Sequence, residues 1–369
     1  WSAKDSKLLG FRPIVNKVAP IEFDVARAST ATRVNREGLI ESVANNIARV
    51  DFSDDVNGAL LLEPQSTNLV TYSEDFTHSS WIKDSATNVT PNQSNSPEGT
   101  LTASLVTSNG SNGLYFNTAL SGTFARSIFL KSISGTTSAV LRDPNTASFT
   151  PLNLVITNEW KRFVLIGDNQ RSSSGLWIDD IDSTGFYIWG AQLEESSVAT
   201  SYIPTSGTTV TRLADVVGGA GDVNTFNSTE GVLYVDIAYL KDIGAFKKIT
   251  LSDGTGNNFI AFENKPNANQ ITFFLRVSGT NSFVHTNTLT DVKLFNKMAI
   301  KWKENDFSVF LNGNKIHQDL SGASFSNGTL NVLSFHDPAQ NNAFEGKCKD
   351  LRVYNTALTD SELTQLTTL

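Results

Sequence analysis

The sequence predicts an all-β protein in which two β-sandwich (jelly-roll) domains stand in tandem after a short connecting segment that contains a β-hairpin. Three observations predict it. Ser, Thr, Asn and Gly are abundant while runs of strong helix formers are scarce. Short runs of alternating apolar and polar residues recur between Ser/Gly/Asn turns, the pattern of a sandwich rather than of βα units. A chain of 369 residues exceeds what one core usually fills, and the glycine-dense DVVGGAGDVNTFNSTEG (215–231) interrupts the pattern where a boundary would fall.

Taken in order, residues 1–66 read as an N-terminal connecting or oligomerisation segment with short strands. Within it TRVNREGLIESV puts Asn35 to Gly38 between two strand-like runs, a hairpin expected to pack on the next module or on other chains. In LLLEPQSTNLVTYSEDF (60–76) an apolar run breaks at Pro64 and ends in Glu74 and Asp75, which marks either an acidic site or a seam between modules. Residues 67–215 are expected to form the first sandwich, from SGTFARSIFLKS, SAVLRD, LNLVIT, WKRFVLIGD, GLWID and FYIWGAQLE. Phe124, Ile128 and Leu130 should share a face. In KRFVLIG both faces are apolar, Phe163 with Leu165 and Val164 with Ile166, so that strand is expected to be central.

Residues 216–230 read as a Gly-rich linker and 231–369 as the second sandwich. There Asn312-Gly313 supplies the two positive-φ residues of a type I′ hairpin turn. In KMAIKWK, Met298, Ile300 and Trp302 fall on one face and Lys297, Lys301 and Lys303 on the other. Thr359 and Glu362 form a capping box, with Leu358 and Leu363 as its hydrophobic staple, so a short helix is expected near the C-terminal end of the sequence.

Composition excludes several classes. A net charge of −8 without a basic stripe argues against nucleic-acid binding. A single cysteine, Cys348, allows no intramolecular disulfide and no thiolate metal site. No window of about 18 apolar residues suggests a membrane-spanning helix. The opening WSAKDSKLLGF lacks the apolar core of a secretory signal, and the missing initiator Met reads as a processed or truncated start. Five Asn-x-Ser/Thr sequons carry no weight in a chain this rich in those residues.

The search for chemistry turns up no nucleophile elbow, P-loop or dinucleotide fingerprint, and the four histidines are scattered. The best acidic cluster is WIDDIDSTGF, where Asp180 and Asp182 would share a strand face beside Asp179; it lacks the Glu-x-Asp-x-x-Glu run of β-sandwich glycosidases and reads as a solvated strand end. No enzyme is expected. Glu74 and Asp75 could hold a structural Ca²⁺ together with Glu194 or Glu195, because the first and last strands of a jelly roll are neighbours. Sugars are gripped by flat rings beside amides and carboxylates, which makes Trp177 with Asp179, Trp81, and Tyr115 the carbohydrate-binding candidates. In FYIWG one aromatic pair, Phe186 with Ile188 or Tyr187 with Trp189, should face away from the core.

At ASTATRVNREGLIESVANNIARVDF, GALLLEPQSTNLVTYSEDFTHSSWIK and YIWGAQLEESSVATSYIPTSGTTVTRLADV the chain resembles bacteriophage virion appendage proteins of the tail-fibre or head-fibre type, in which a hairpin-bearing segment leads into a carbohydrate-binding-module-like jelly roll. IKWKENDFSVFLNGNKI and GKCKDLRVYNTALTDSEL resemble a concanavalin A-like, laminin G-like sandwich. The resemblance implies a non-catalytic, usually trimeric appendage on the particle surface, whose partners are other virion proteins and a bacterial cell-surface glycan. It implies that Glu63-Pro64 ends the connecting segment, and it favours the structural calcium. It carries over no sugar-binding residue. Two other readings stay open: a decoration or connector protein that binds no sugar, and the binding portion of a secreted polysaccharide-degrading enzyme.

Overall fold

A computed structural model of the chain describes residues 1–4, 7–14, 17–109, 113–142, 151–169, 174–242 and 246–369. They form two compact units, each built from β-sheets. One unit comprises residues 29–42 and 65–213; the other comprises 1–28, 43–64 and 214–369.

In the first unit two five-stranded antiparallel sheets enclose a core. One sheet runs Thr87–Ser94, Ala103–Ser108, Phe186–Glu194, Gly122–Ser132, Lys161–Asn169; the other runs Leu152–Ile156, Thr137–Arg142, Ser174–Asp179, Leu114–Thr118, Trp81–Lys83. Alternation decides which side chains go in: Leu114 and Phe116, Ala139 and Leu141, and Leu176 and Ile178 are buried, and the residues between them face away from the core. Phe124, Ile128 and Leu130 share this core, as their spacing predicts. The strand Lys161–Asn169 does not lie in the centre. It is an edge strand, with Val164 37% and Ile166 44% exposed, so its second apolar face reports no second packed layer.

The hairpin of Ala31–Val34 and Ile40–Val43 turns at Asn35–Gly38, with Gly38 at φ 79° and Asn35 N donating to Leu39 O at 2.8 Å. It packs on its own unit. Ile40, Ala103, Trp189 and Tyr202 make a small cluster with Val34 and Phe129. This settles the FYIWG alternation: Phe186 and Ile188 enter the main core, whereas Trp189 faces the other way and is covered by the hairpin.

The second unit has a seven-stranded sheet ordered Asn314–Asp319, Phe307–Leu311, Asn296–Lys303, Glu230–Tyr239, Gly346–Tyr354, Ala59–Leu62, Arg49–Asp51. A five-stranded sheet runs Thr280–Thr288, Gln270–Val277, Phe259–Asn264, Lys247–Ser252, Val332–Ser334. Leu233, Val235, Ile237, Met298, Ile300 and Trp302 fill the core from the larger sheet, and Ile249, Leu251, Ile260, Phe262, Phe273 and Leu275 from the smaller. Asn312 and Gly313, at φ 47° and 83°, make the expected turn. The helix Asp360–Thr367 carries the capping box of Thr359 and Glu362, and Leu363 seats it on Val232, Tyr234, Ala299 and Phe310, on the outer side of the large sheet. The face opposite Met298, Ile300 and Trp302 is only partly solvated: the helix covers Ala299, and Lys301 is buried and ion-paired with Asp306.

Residues 1–66 are not a unit of their own, and 216–230 is not merely a linker. Ile21, Phe23 and Val25 belong to the second unit's core, where Trp1 packs against both Phe23 and Phe335. Ala59–Leu62 pairs with Gly346–Tyr354, and Val216–Gly218 pairs with Lys17–Ala26. These partners lie hundreds of residues apart in sequence, which a local pattern does not reveal.

A buried ionic network ties the pieces of this unit. Arg27 donates to Asp215 at 2.9 Å and to the carbonyls of Ala44 at 2.7 Å and Ile47 at 3.0 Å. Arg49 pairs with Glu63 at 2.8 Å and with the other oxygen of Asp215. Burial opposes the charge on Arg49, but Glu63 and Asp215 outweigh it and hold the guanidinium pKa above its ordinary value. Arg49→Met leaves two buried carboxylates short of their cation, and is expected to cost about 3–5 kcal/mol in urea unfolding. A loss no greater than that of an exposed ion pair, about 1 kcal/mol or less, would show that the network ties nothing.

Candidate functional site

Tyr115 and Trp177 are brought together. They are paired residues on the adjacent strands Leu114–Thr118 and Ser174–Asp179, on the side of the sheet away from the core. Their ring centroids lie 4.4 Å apart with planes at 45°, so the two half-exposed rings form an angled aromatic surface rather than a flat stack. Arg142 is opposite Trp177 on the next strand and, still 44% exposed, ion-pairs with Asp179. Asn117, two residues beyond Tyr115 on the same face, accepts the Trp177 indole N–H at 2.5 Å.

Each ring is held. The Tyr115 hydroxyl donates to Asp84 and to Asp179, the latter at 3.0 Å. Burial first, then these two carboxylates, raise its pKa, so the phenol stays a donor at any physiological pH. Gly113 makes room for this arrangement: a Cβ there would stand 2.2 Å from Asp179 Oδ1 and 2.5 Å from the Tyr115 ring. A preset aromatic pair flanked by an exposed amide and guanidinium can stack on the C–H face of a sugar and hydrogen-bond its hydroxyls without first ordering its side chains.

Other expected residues are placed differently. Trp81 is 1% exposed, packed on Phe76 and Phe116 with its indole N–H donating to the Tyr72 carbonyl, so it is a core residue. In the three-residue strand Trp81–Lys83 the outward position goes to Ile82, which is 48% exposed. Asp179 is also buried, and serves Tyr115 and Arg142 rather than the open surface. Asp180 and Asp182 do not share a strand face: the strand ends at Asp179, Asp180 has φ 50°, and Asp182 caps a turn by accepting from Thr184 N and Gly185 N.

Glu74, Asp75 and Glu194 do not converge as metal ligands, and no group of three or more His, Cys, Asp or Glu able to hold a metal occurs among the described residues. The first and last strands do adjoin, with Leu69 N donating to Leu193 O at 2.8 Å, but the carboxylates are otherwise engaged. Glu194 is buried and accepts from Ser66 at 2.7 Å and from Thr200. Asp75 caps its own turn through Thr77 N and His78 N. Glu74 accepts the Tyr202 hydroxyl at 2.8 Å. Asn117, Arg142 and Asp84 were not singled out by sequence; the signal available was alternation, which puts Asn117 on the face of Tyr115.

Residues 238–364, within the second unit, match the family model described as the concanavalin A-like lectin/glucanases superfamily, so this region carries a concanavalin A-like, laminin G-like sandwich. No curated protein matches the chain. Among solved structures, domain 4 of an extracellular arabinanase of Geobacillus stearothermophilus, in complex with arabinotriose, is similar at 14% identity and TM-score 0.33, covering 47% of this chain and 84% of that one. Domains LG4-5 of the mouse laminin α1 chain are similar at 9% identity and TM-score 0.29, covering 82% and 93%. The tandem CBM22 domains of Paenibacillus barcinonensis Xyn10C are similar at 11% identity and TM-score 0.29, covering 80% and 99%. At such scores these three likenesses carry no further argument.

The carboxyl of Glu98, in the same unit as Glu74, is pushed up to about 7 by burial and then by the charge of Glu74. In the unfolded chain it returns to its ordinary 4.5, so between those values the folded state holds a proton that the unfolded state has lost. Stability is therefore expected to fall as pH rises through that window, and less so in Glu98→Gln; melting temperatures of both proteins from pH 4.5 to 7 check this.

Proposed function

We propose that the chain is a non-catalytic glycan-binding protein, and that it serves as an appendage on a bacteriophage particle, recognising glycans on the host surface. The observation that carries the binding part is the Tyr115/Trp177 pair, fixed by Asp84, Asp179 and Asn117 on the outer side of a sandwich sheet. The lectin/glucanase family match at residues 238–364 supports it. The appendage part is supported by the resemblance of the hairpin-bearing segment and of the YIWGAQLE region to virion fibre proteins. Assembly as a homotrimer with other virion proteins belongs to the same proposal.

A glycan array and a whole-cell binding assay test it, run beside light scattering for the oligomeric mass. Trp177→Ala is expected to weaken binding about tenfold, the loss of one good stacking contact of roughly 1.4 kcal/mol. Trp177 is half-exposed, so its melting temperature should change little. Tyr115→Phe, which removes the hydroxyl but not the ring, is expected to weaken binding less. A folded oligomer that binds no glycan and no cell would favour a connector protein instead, and hydrolysis of any bound glycan would overturn the non-catalytic part.

A further inference from the structure

The second unit contains a cavity of about 410 Å³ on the outer side of its seven-stranded sheet, beyond the end that the helix Asp360–Thr367 covers. Its walls come from the helix, from the turn between Arg49–Asp51 and Ala59–Leu62, and from the strands Glu230–Tyr239 and Gly346–Tyr354. Among its lining residues the side chains of Tyr234 and Asp236 are buried.

Asp236 is the anomaly. It is 8% exposed, yet its Oδ1 is buried with no hydrogen-bond partner among the described residues, where a buried carboxylate is ordinarily satisfied. In register it stands between Lys297 on one neighbouring strand and Asp350 on the other, and like charges side by side across a sheet are unfavourable. The pairing with Gly346–Tyr354 shifts register between Asp236 and Ile237, a bulge of the kind that re-aims side chains near sites. Both nearby lysines bond elsewhere: Lys297 donates to the Thr368 carbonyl at 2.7 Å and Lys349 pairs with Asp55 at 3.0 Å. Burial raises the Asp236 pKa, with Lys297 and Lys349 pulling the other way.

The lining is charged but balanced, with Asp55, Asp236 and Asp350 against Lys297, Lys349 and Arg352. A simple ion of either sign gains no net attraction there. A ligand whose groups both donate and accept does, because its hydroxyls can donate to the carboxylates and accept from the ammonium and guanidinium groups. We propose that this cavity is a ligand site for a small polyhydroxylated molecule, one saccharide unit in size, independent of the Tyr115/Trp177 face. A hydroxyl donated to Asp236 supplies the bond that the buried carboxylate lacks.

Saturation-transfer NMR with D-glucose, D-galactose and N-acetyl-D-glucosamine tests this on the full-length Trp177→Ala variant, in which binding at the aromatic face is weakened about tenfold. At least one sugar is expected to bind, with hydrogen-exchange protection in residues 230–239 and 346–354. Adding Asp236→Asn should weaken that binding at least fivefold. Should that variant not fold, Lys297→Met, on the adjoining strand, is expected to weaken it as well. Absence of binding by all three sugars, or binding unchanged by both substitutions, overturns the proposal. So does a rise in melting temperature with Ca²⁺ alone that Asp236→Asn abolishes, which would make the cavity a cation site. Loss of sugar binding at the aromatic face would leave these outcomes untouched, so the two readings fail separately.

Discussion

The carboxylate of Asp215 is the interaction on which the second unit depends. That unit is assembled from three separate stretches of chain, and the network takes members from each: Arg27 from the first, Arg49 and Glu63 from the second, and Asp215 from the third. One oxygen of Asp215 receives Arg27, and the other receives Arg49 and the Glu63 amide at 2.9 Å. Burying four ionised groups is expensive, and apolar residues of similar volume would often do as well for stability alone. What apolar residues would not supply is directional register. The charges are satisfied only when the three stretches lie at their native offsets, so the cost of misalignment is far larger than the net gain at the correct alignment. We read the network as a specificity device for a unit whose sheet must recruit strands from distant parts of the chain.

In the first unit neutral groups do similar work beside the buried carboxylate of Glu194. Asn68, fully buried, donates to the carbonyls of Ala191 at 3.1 Å and Ile203 at 2.8 Å and accepts from Leu193 N at 3.1 Å. Thr32, in the hairpin, donates to the Tyr202 carbonyl at 2.5 Å. One amide thus holds the entering strand to the last one, and one hydroxyl helps to hold the hairpin over Trp189. The aromatic face lies on the other sheet, which leaves it free of these ties and open to solvent among the described residues.

What was legible in the sequence follows from the range of the interactions involved. The all-β class, the Asn312-Gly313 turn, the Asn35–Gly38 hairpin and the Thr359/Glu362 cap are set by neighbours a few residues apart, and all were readable. Domain membership was not, because Ala59–Leu62 takes its partner from Gly346–Tyr354 and no local composition records that pairing. The site was legible in part for the same reason. Tyr115, Trp177 and Asp179 were named from residue type and proximity in the chain, and the sheet brings them together. Trp81 has the same chemistry but sits in a three-residue strand with no alternation to show which way it points. The edge strand Lys161–Asn169 shows the converse, for two apolar faces are not sufficient to make a strand central.

The two candidate surfaces differ in the physics they would use, and this bears on how a weak binder could work. The angled rings of Tyr115 and Trp177 gain from dispersion and from shedding water off apolar C–H faces, which changes little with salt or pH. The balanced charges around Asp236 gain from hydrogen bonds to groups already out of water, which are sensitive to the identity and orientation of each hydroxyl. A stacking surface tolerates many sugars, whereas a polar cavity discriminates among them. Neither alone needs to be tight: linked copies presented on one particle multiply weak affinities through effective concentration, without any new contact. Breadth at one surface and selectivity at the other would then let a multivalent assembly adhere to a glycan-covered surface and still distinguish its target from other cells.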